Sequence, residues 1–361
     1  NGIEKEHFTR VLRADPARKG LLYTGTETGM YISFDDGASW DSFQLDLPIV
    51  PITDLTIKEN SLIVATQGRS LWMLDDLTVL HQLNSNTEKD QITLFKPKDS
   101  YRTQGRSSKP SLTQGTNLPN GVVVYFNLQN YNEKEDVVQL HFKENDGTLI
   151  KTFSTSSKEN KLIVNEGGNQ FVWDSRYEGA ETLDGMIFWS ASFSGAKAVP
   201  GNYSLELDMN GKVQKQKFTI LKDPRAEVSL AEMKRQFDFV NIVNQTVDDA
   251  HNAIGNIRAI NKKLSDFENN YGELDETKSL LAEVKLLKSE LSKIEKALYQ
   301  TQNMSNQDPL NFPIRLTNKL GHLNRLVTTN DFPPTQQDEA VRLELTQKIE
   351  LQLKHYDKLI S

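Results

Sequence analysis

The sequence predicts a multidomain protein that combines incomplete, all-β β-propeller blades, an immunoglobulin-like β-sandwich and an antiparallel α-helical bundle. Three observations lead to this prediction. Short strands near the beginning repeat with a period of about 41 residues, a second group of about seven strands follows, and the last part carries apolar residues at helical spacing. We place the blades at 1–85, a linker or strap at 86–120, the sandwich at 121–225 and the bundle at 226–361.

The blade prediction begins with the segment S-F-D-D-G-A-S-W at residues 33–40. Ser33, Asp35, Gly37 and Trp40 match the Asp-box (BNR) pattern S-x-D-x-G-x-T-W, which recurs once per blade in several propeller families. Gly37 tolerates the positive φ of a tight hairpin, and the Asp35 carboxylate can accept hydrogen bonds from nearby backbone N–H groups. Trp40 offers an apolar face to a neighbouring sheet. We therefore interpret the Asp-box as structural and predict no catalytic role for Asp35.

The Asp-box blade is followed by the start of a second one. Hairpins at 24–31 and 65–72 carry equivalent strand and turn signals, and their spacing of about 41 residues fits a four-stranded blade. One and a half to two blades cannot close a propeller, which needs about four or more, and they would leave sheet edges in water. We therefore expect the remaining blades, from upstream sequence or from another chain, to be the partner of this region.

The middle of the chain predicts a linker and then a sandwich. Residues 86–120 are polar and rich in turn formers, which suits a linker or an extended strap. Strand patterns separated by turn signals fill residues 121–222, as in an immunoglobulin-like sandwich. We expect Trp173 and Trp189 to lie in its core, because aromatic residues at strand positions are usually buried.

The last part predicts helices. Ser229 with Glu232 forms a capping box, and the apolar stripe that follows predicts a helix of about 38 residues ending before Gly272. Three further stripes predict three more helices, the last introduced by Pro333-Pro334. We interpret the stripes as the core of an antiparallel bundle; the alternative for any one of them is a face that binds a partner.

Composition excludes several classes of function. With 42 basic and 49 acidic residues the net charge is −7, which gives no reason to expect nucleic-acid binding. The sequence contains no long uncharged apolar run, so no membrane span is predicted. The chain has no cysteine, which excludes thiolate chemistry and is compatible with an oxidising bacterial compartment. Six unpaired histidines and the lack of a phosphate-binding glycine loop predict no metal site and no cofactor.

Two groups of residues carry a family resemblance. Residues 24–40 and 66–77 resemble the last blades of sortilin-like BNR-repeat propeller proteins, which are bacterial and often labelled as glycosyl hydrolases. Residues 169–177 and 198–203 resemble their Ig-like domain, and 222–225 before a long helix resembles the entry to their helical region. The resemblance implies the C-terminal part of a protein that is secreted, periplasmic or at the cell surface. Because the chain begins at Asn1 without a targeting segment, we expect a processed product or a piece of a longer protein.

Four residues are candidates for ligand binding. Glu27 and Asp54 lie near strand ends and could face a propeller channel, where glycoside hydrolysis would need two carboxylates. Arg69 could bind a carboxylate ligand, although an ion pair with a neighbouring acidic residue is the simpler expectation. Trp72 could stack on a sugar ring or pack inside a blade. No pairing of the carboxylates follows from the sequence, so we name no catalytic residue.

These observations leave three interpretations of function. The first is a non-catalytic scaffold or binding region that mediates protein or glycan interactions. The alternative is the C-terminal portion of a xyloglucanase-like propeller glycoside hydrolase, whose active site lies mostly in upstream blades. The third is a subunit of a larger envelope assembly.

Overall fold

The computed structural model describes residues 1–84, 87, 89–103 and 115–361. The described residues form two compact units. The first contains residues 1–99, 115–172 and 203–218, and the second contains residues 100–103, 173–202 and 219–361. The chain combines β-sheets with C-terminal helices, which is the coarse architecture that the sequence predicts.

The described strands are β1 (Thr9–Ala14), β2 (Leu22–Thr26), β3 (Met30–Ser33), β4 (Asp41–Ser42), β5 (Ile52–Lys58), β6 (Ser61–Thr66), β7 (Leu71–Leu74), β8 (Ile92–Leu94), β9 (Ser100–Arg102), β10 (Val122–Leu128), β11 (Val138–Glu144), β12 (Leu149–Ser154), β13 (Gly167–Trp173), β14 (Gly201–Met209) and β15 (Lys212–Lys222). The described α-helices are α1 (Thr78–Gln82), α2 (Leu230–Tyr271), α3 (Lys278–Leu298), α4 (Leu316–Val327) and α5 (Gln336–Ile360). Short 3-10 turns lie at Asp275–Thr277 and Asp308–Leu310.

Two antiparallel meanders open the first unit. Strands β1-β2-β3-β4 are neighbours in that order, and so are β5-β6-β7. Both meanders contribute to one apolar cluster that includes Tyr23, Ile32, Ile52 and Leu62. The second meander has one strand fewer, because the chain turns into α1 shortly after β7. β7 is therefore an edge strand.

The rest of the first unit contains two further groups of paired strands. One group has the order β13-β10-β8, and the other places β12, β11, β14 and β15 side by side. Burial alternates along β10 as its side chains point in and out. The ring centroids of Phe142 on β11 and Phe171 on β13 lie 6.2 Å apart, so the two groups share an aromatic core.

Two strands lie in the segment 86–120, where the sequence predicts a linker or strap. β8 pairs with β10 through Leu94 and Phe126, since Ile92 and Leu94 give this short run two residues that can be buried. In the second unit, β9 pairs in parallel with the end of β15, with Ser100 opposite Ile220. Pairing this distant in sequence leaves no local pattern, which is why the prediction missed both strands. Residues 104–114 of the segment lie outside the described residues.

Two helices of the second unit, α2 and α5, begin at capping boxes. Ser229 Oγ accepts a hydrogen bond from Glu232 N at 3.3 Å, and Glu232 Oε2 accepts one from Ser229 N at 2.8 Å. Thr335 and Asp338 form the same capping box at the start of α5. The apolar stripes of α2, α3, α4 and α5 meet in one buried cluster. The four predicted helices are confirmed.

The prediction that Trp173 and Trp189 both fill a core is wrong for Trp189. Trp173 is fully buried, whereas Trp189 is 38% exposed. Trp189 lies in a stretch of the second unit, residues 174–200, that forms no named strand. In the sequence, Trp189 next to Phe188 resembles the aromatic pattern of a buried strand. Only the structure shows that the backbone of Trp189 is bound by a helix side chain.

Candidate functional site

The Asp-box forms a closed turn between β3 and β4. Ser33 Oγ donates to Asp35 Oδ1 at 2.8 Å and accepts from Gly37 N at 2.9 Å. Ser39 donates to Asp35 through its backbone N at 2.8 Å and its hydroxyl at 2.6 Å. The hydroxyl of Ser39 is the largest cause that lowers the pKa of Asp35 to about 2, followed by its backbone N–H and by Ser33. Gly37 has φ +89°, and its carbonyl accepts from Trp40 Nε1 at 3.1 Å.

Both candidate carboxylates lie in ion pairs with arginines of β1. Arg10 Nη2 lies 2.6 Å from Glu27 Oε1, and Arg13 Nη2 lies 2.6 Å from Asp54 Oδ1. Asp54 Oδ1 also accepts from the backbone N of Leu55 at 2.8 Å. In the described part of the chain no hydrogen bond links the two carboxyl groups. Each candidate carboxylate thus forms an ion pair with a different arginine of the same strand.

Sequence reasoning missed Arg10 and Arg13 because it missed β1. The strand reads T-R-V-L-R-A and has one buried residue, Val11, so it shows no apolar alternation. Its register with β2 also shifts between Thr9 and Val11. The sequence did contain a signal for these ion pairs. Two arginines lie within one short segment and can serve as partners for isolated acidic residues such as Glu27 and Asp54.

Arg69 and Trp72 lie at the turn into β7. Arg69 is exposed and forms no ion pair among the residues that the structure describes. Trp72 Nε1 donates to the Arg69 carbonyl at 2.9 Å, which holds the indole over the turn. The side chain of Trp72 is 38% exposed, and its neighbours Leu71 and Met73 are 69% and 58% exposed. β7 is therefore an edge strand with three consecutive exposed apolar residues.

An apolar cavity of about 240 Å³ lies beside this edge. It is lined by Met30, Phe43 and Leu62 together with Trp72 and Met73. In the first meander, β4 pairs with Tyr31 and Ile32 through Ser42 and Asp41. In the second meander the corresponding position beside β7 has no strand of the described chain. β7 thus ends its sheet, and the cavity beside it is lined by residues of both meanders.

A buried charged cluster in the second unit centres on Arg102. Its Nη2 lies 2.8 Å from Asp331 Oδ1 and 3.2 Å from Gln236 Oε1. Its Nη1 donates to the carbonyls of Lys197 and Ala198 at 3.1 and 3.0 Å. Burial is the largest cause that lowers the pKa of Lys197 to about 8. Every direction of the guanidinium is used within the protein, so the cluster holds the fold together and offers no free group to a ligand.

The described residues show neither a metal-ligand cluster nor a membrane-spanning helix. Across the described ranges, no group of three or more His, Asp or Glu side chains is placed to hold a metal ion. No helix in the same part of the chain is long and apolar enough to cross a membrane.

Comparison with known proteins identifies no family. No protein-family model matches the chain, and no curated protein is significantly similar to it. A solved structure named "pT26-6p" aligns with 94% of this chain and 67% of its own length, at 10% sequence identity. Its TM-score of 0.14 is too low to indicate a shared fold.

Proposed function

We propose that this chain is a non-catalytic scaffold or binding region of a sortilin-like, BNR-repeat β-propeller protein. Its N-terminal meanders would be propeller blades, its second group of strands an Ig-like sandwich, and its helices the helical region that follows the sandwich. It would act outside the bacterial cytoplasm, in a secreted, periplasmic or cell-surface setting, and mediate interactions with proteins or glycans. The remaining blades, from the same gene product or another chain, would be its first partner.

The exposed apolar edge at β7 is the observation that carries this proposal. Leu71, Trp72 and Met73 present apolar surface beside a cavity, at the position where the first meander has a fourth strand. Exposed edges of this kind promote pairing with further β-structure, and stable proteins usually cover them. A neighbouring blade would supply both the missing strand and the cover.

The engaged carboxylates support a non-catalytic role. Glu27 and Asp54 each bind a different arginine, and Asp35 accepts three hydrogen bonds from its own turn. A hydrolase of the xyloglucanase-like type would need two convergent carboxylates with room for a glycosidic bond between them. The three acidic residues that the motif and the strand ends suggest are instead each engaged by groups of this chain, which favours the scaffold over the hydrolase.

An activity assay separates the scaffold from the hydrolase. We expect no release of reducing ends when the purified chain is incubated with soluble β-glucans. Hydrolysis that is lost in Glu27→Gln or Asp54→Asn would overturn the proposal, because both substitutions preserve shape while removing the charge.

The role of the edge is tested by sedimentation velocity over a range of protein concentrations. We expect the chain to self-associate through the open strand and Met73→Lys to remain monomeric, since lysine at an edge opposes pairing. Leu149→Lys is the matched control, because Leu149 is an exposed leucine on another edge strand, β12. Monomers in all three samples, or equal effects of both lysines, would contradict a special role for β7.

A further inference from the structure

Residues 181–194 of the second unit, here called the bound segment, lie along the helices without forming a strand. Helix side chains make hydrogen bonds to its main chain in place of a neighbouring strand. The pairs are Glu181 N with Asp248, Glu181 O with His251, Ile187 N with the Tyr299 hydroxyl, Trp189 N and O with Asn318, Ser190 O with His322, Ser192 O with Asn324, and Ser194 O with Asn244. These hydrogen bonds recognise the main chain of a peptide and not its side chains.

Asn318 shows the principle most clearly. Trp189 N donates to Asn318 Oδ1 at 2.8 Å, and Asn318 Nδ2 donates to Trp189 O at 2.8 Å. A carboxamide carries one acceptor and one donor side by side, so it can replace the N–H and C=O of a neighbouring strand. Asn318 is 4% exposed, and a buried amide of this kind would be costly without such partners.

The polar side chains that bind the segment form stripes on their helices. Asn244, Asp248 and His251 follow one another at spacings of four and three residues along α2, which places them on one face. Asn318 and His322 repeat the four-residue spacing on α4. These stripes run beside the apolar stripes that form the core and line a groove. The spacing of these polar residues is visible in the sequence, but it is separate from the apolar periodicity that predicts the helices.

Two aromatic side chains anchor the segment in the groove. The rings of Phe188 and Phe193 lie 4.7 Å apart, and each lies 5.6 Å from the ring of His251. Gly321 on α4 makes room for the second anchor: a Cβ built there would lie 2.6 Å from the Phe193 ring. Ala180 N donates to Phe193 O at 2.9 Å, so the segment turns back on itself, and the groove fits a looped peptide with aromatic residues five positions apart.

The groove has hydrogen-bonding capacity that the bound segment leaves unused. Three buried atoms of its lining, His251 Nε2, Asn303 Oδ1 and Asn324 Oδ1, have no hydrogen-bond partner. The Nδ1 atom of His251 lies 2.5 Å from the Glu181 carbonyl and must donate there, which leaves Nε2 of the neutral ring as an acceptor. All three atoms thus offer acceptors to a ligand. A better donor than the bound segment would gain hydrogen bonds that this segment does not make.

We propose that the helical region is a peptide-binding groove and that residues 181–194 are its intramolecular ligand. A looped peptide that has two aromatic side chains five positions apart and additional hydrogen-bond donors can replace this segment. The segment is tethered, so its effective concentration is high and the groove is closed to weak competitors. Release of the segment opens the groove to a partner.

The test weakens the segment and leaves the groove intact. In the full chain, Phe188→Ala with Phe193→Ala removes both anchors and none of the groove side chains. A fluorescein-labelled peptide of residues 179–196 is titrated into this variant and into the unaltered chain, with fluorescence anisotropy as the readout. We expect the variant to bind at least roughly tenfold more tightly, because the competing segment no longer fills the groove.

Three controls give each result a meaning. Phe153→Ala truncates an aromatic residue of the first unit and should bind the peptide no better than the unaltered chain. A peptide with both phenylalanines replaced by alanine should not bind, and Asn318→Leu added to the anchor variant should abolish binding. If the anchor variant keeps its helical circular dichroism and yet fails to bind the peptide, the proposal is overturned.

Hydrogen exchange on the unaltered chain decides the question if the anchor variant does not fold. We expect the N–H groups of Ile187 and Trp189 to exchange faster than buried N–H groups in the middle of α2, because the segment leaves the groove without unfolding of the helices. Equal exchange at both places would mean that the segment and the helices open only together. That result would also overturn the proposal.

Discussion

Arg102 and Asp331 are 229 positions apart in the sequence and form an ion pair that is almost completely shielded from water. Arg102 Nε and Nη2 lie 3.1 and 2.8 Å from the same oxygen of Asp331. The pair joins the short strand β9 to the loop before α5 within the second unit. Because the pair is buried, its disruption should lower the free energy of unfolding more than disruption of an exposed pair would.

Arg102→Met should destabilise the protein strongly, because Asp331 would keep a buried charge without its partner. Loss of one member of a buried pair costs about 3–5 kcal/mol, and we expect a fall of this size in the free energy of unfolding measured with urea. The double variant Arg102→Met with Asp331→Leu should be more stable than Arg102→Met alone, since it removes the unpaired charge. Arg10→Met, in an exposed pair, should cost about 1 kcal/mol or less. Similar costs for Arg10→Met and Arg102→Met would refute this interpretation.

Lys197 predicts a rise in stability with pH. Burial lowers its pKa from 10.5 to about 8, so between these values the unfolded chain holds a proton that the folded chain has released. The free energy of unfolding should therefore increase with pH across this window. Lys197→Met should remove that part of the increase, whereas Lys354→Met at an exposed position of α5 should not. Urea unfolding from pH 7 to about 9.5 measures it, and parallel curves for the chain and Lys197→Met would contradict the assignment.

The sequence predicts the helices of the second unit well and the bound segment not at all. Ser229 and Thr335 mark the starts of α2 and α5, because capping is a local interaction between residues three positions apart. Residues 181–194 carry no comparable signal, since their main chain is bound by side chains fifty or more positions away. The Asp-box turn can be predicted because its hydrogen bonds join residues no more than four positions apart. The position of β7 at the edge of its sheet depends on strand pairing, which the sequence does not show.

The Asp-box turn predicts an unusually acidic carboxyl group. The folded pKa of Asp35 is about 2 against an ordinary value of 3.8, so its stabilising contribution is present above pH 3.8 and is lost as the pH falls through 2. Ser39→Ala removes the hydroxyl that contributes most, and we expect the pKa to rise toward 3.8. Carboxyl ¹³C chemical shifts followed from pH 5 to about 1.5 report it. An unchanged midpoint in Ser39→Ala would show that this hydroxyl is not the cause.

Two helical glycines should respond in opposite directions to the same substitution. At Gly321 a new Cβ would lie 2.6 Å from the Phe193 ring and 2.8 Å from Ala191 Cβ, so Gly321→Ala should destabilise by about 1–3 kcal/mol through overpacking. At Gly255 the nearest atom would be 3.6 Å away on Leu183. Gly255→Ala should therefore stabilise by about 1 kcal/mol, the difference in helix propensity. Thermal unfolding of both variants checks the signs, and stabilisation by both would show that Phe193 moves aside without cost.

Main-chain recognition of residues 181–194 has a consequence for how this region can evolve. Asn318, His322 and Asn324 bind backbone carbonyls, which every residue possesses, and Asn318 also binds an N–H, which every residue except proline possesses. Most side chains of the segment can therefore change without loss of binding. Phe188 and Phe193 are the exceptions. Among related chains, substitutions should accumulate between the two aromatic anchors faster than in the helix faces opposite them, and proline should be absent wherever a backbone N–H is bound.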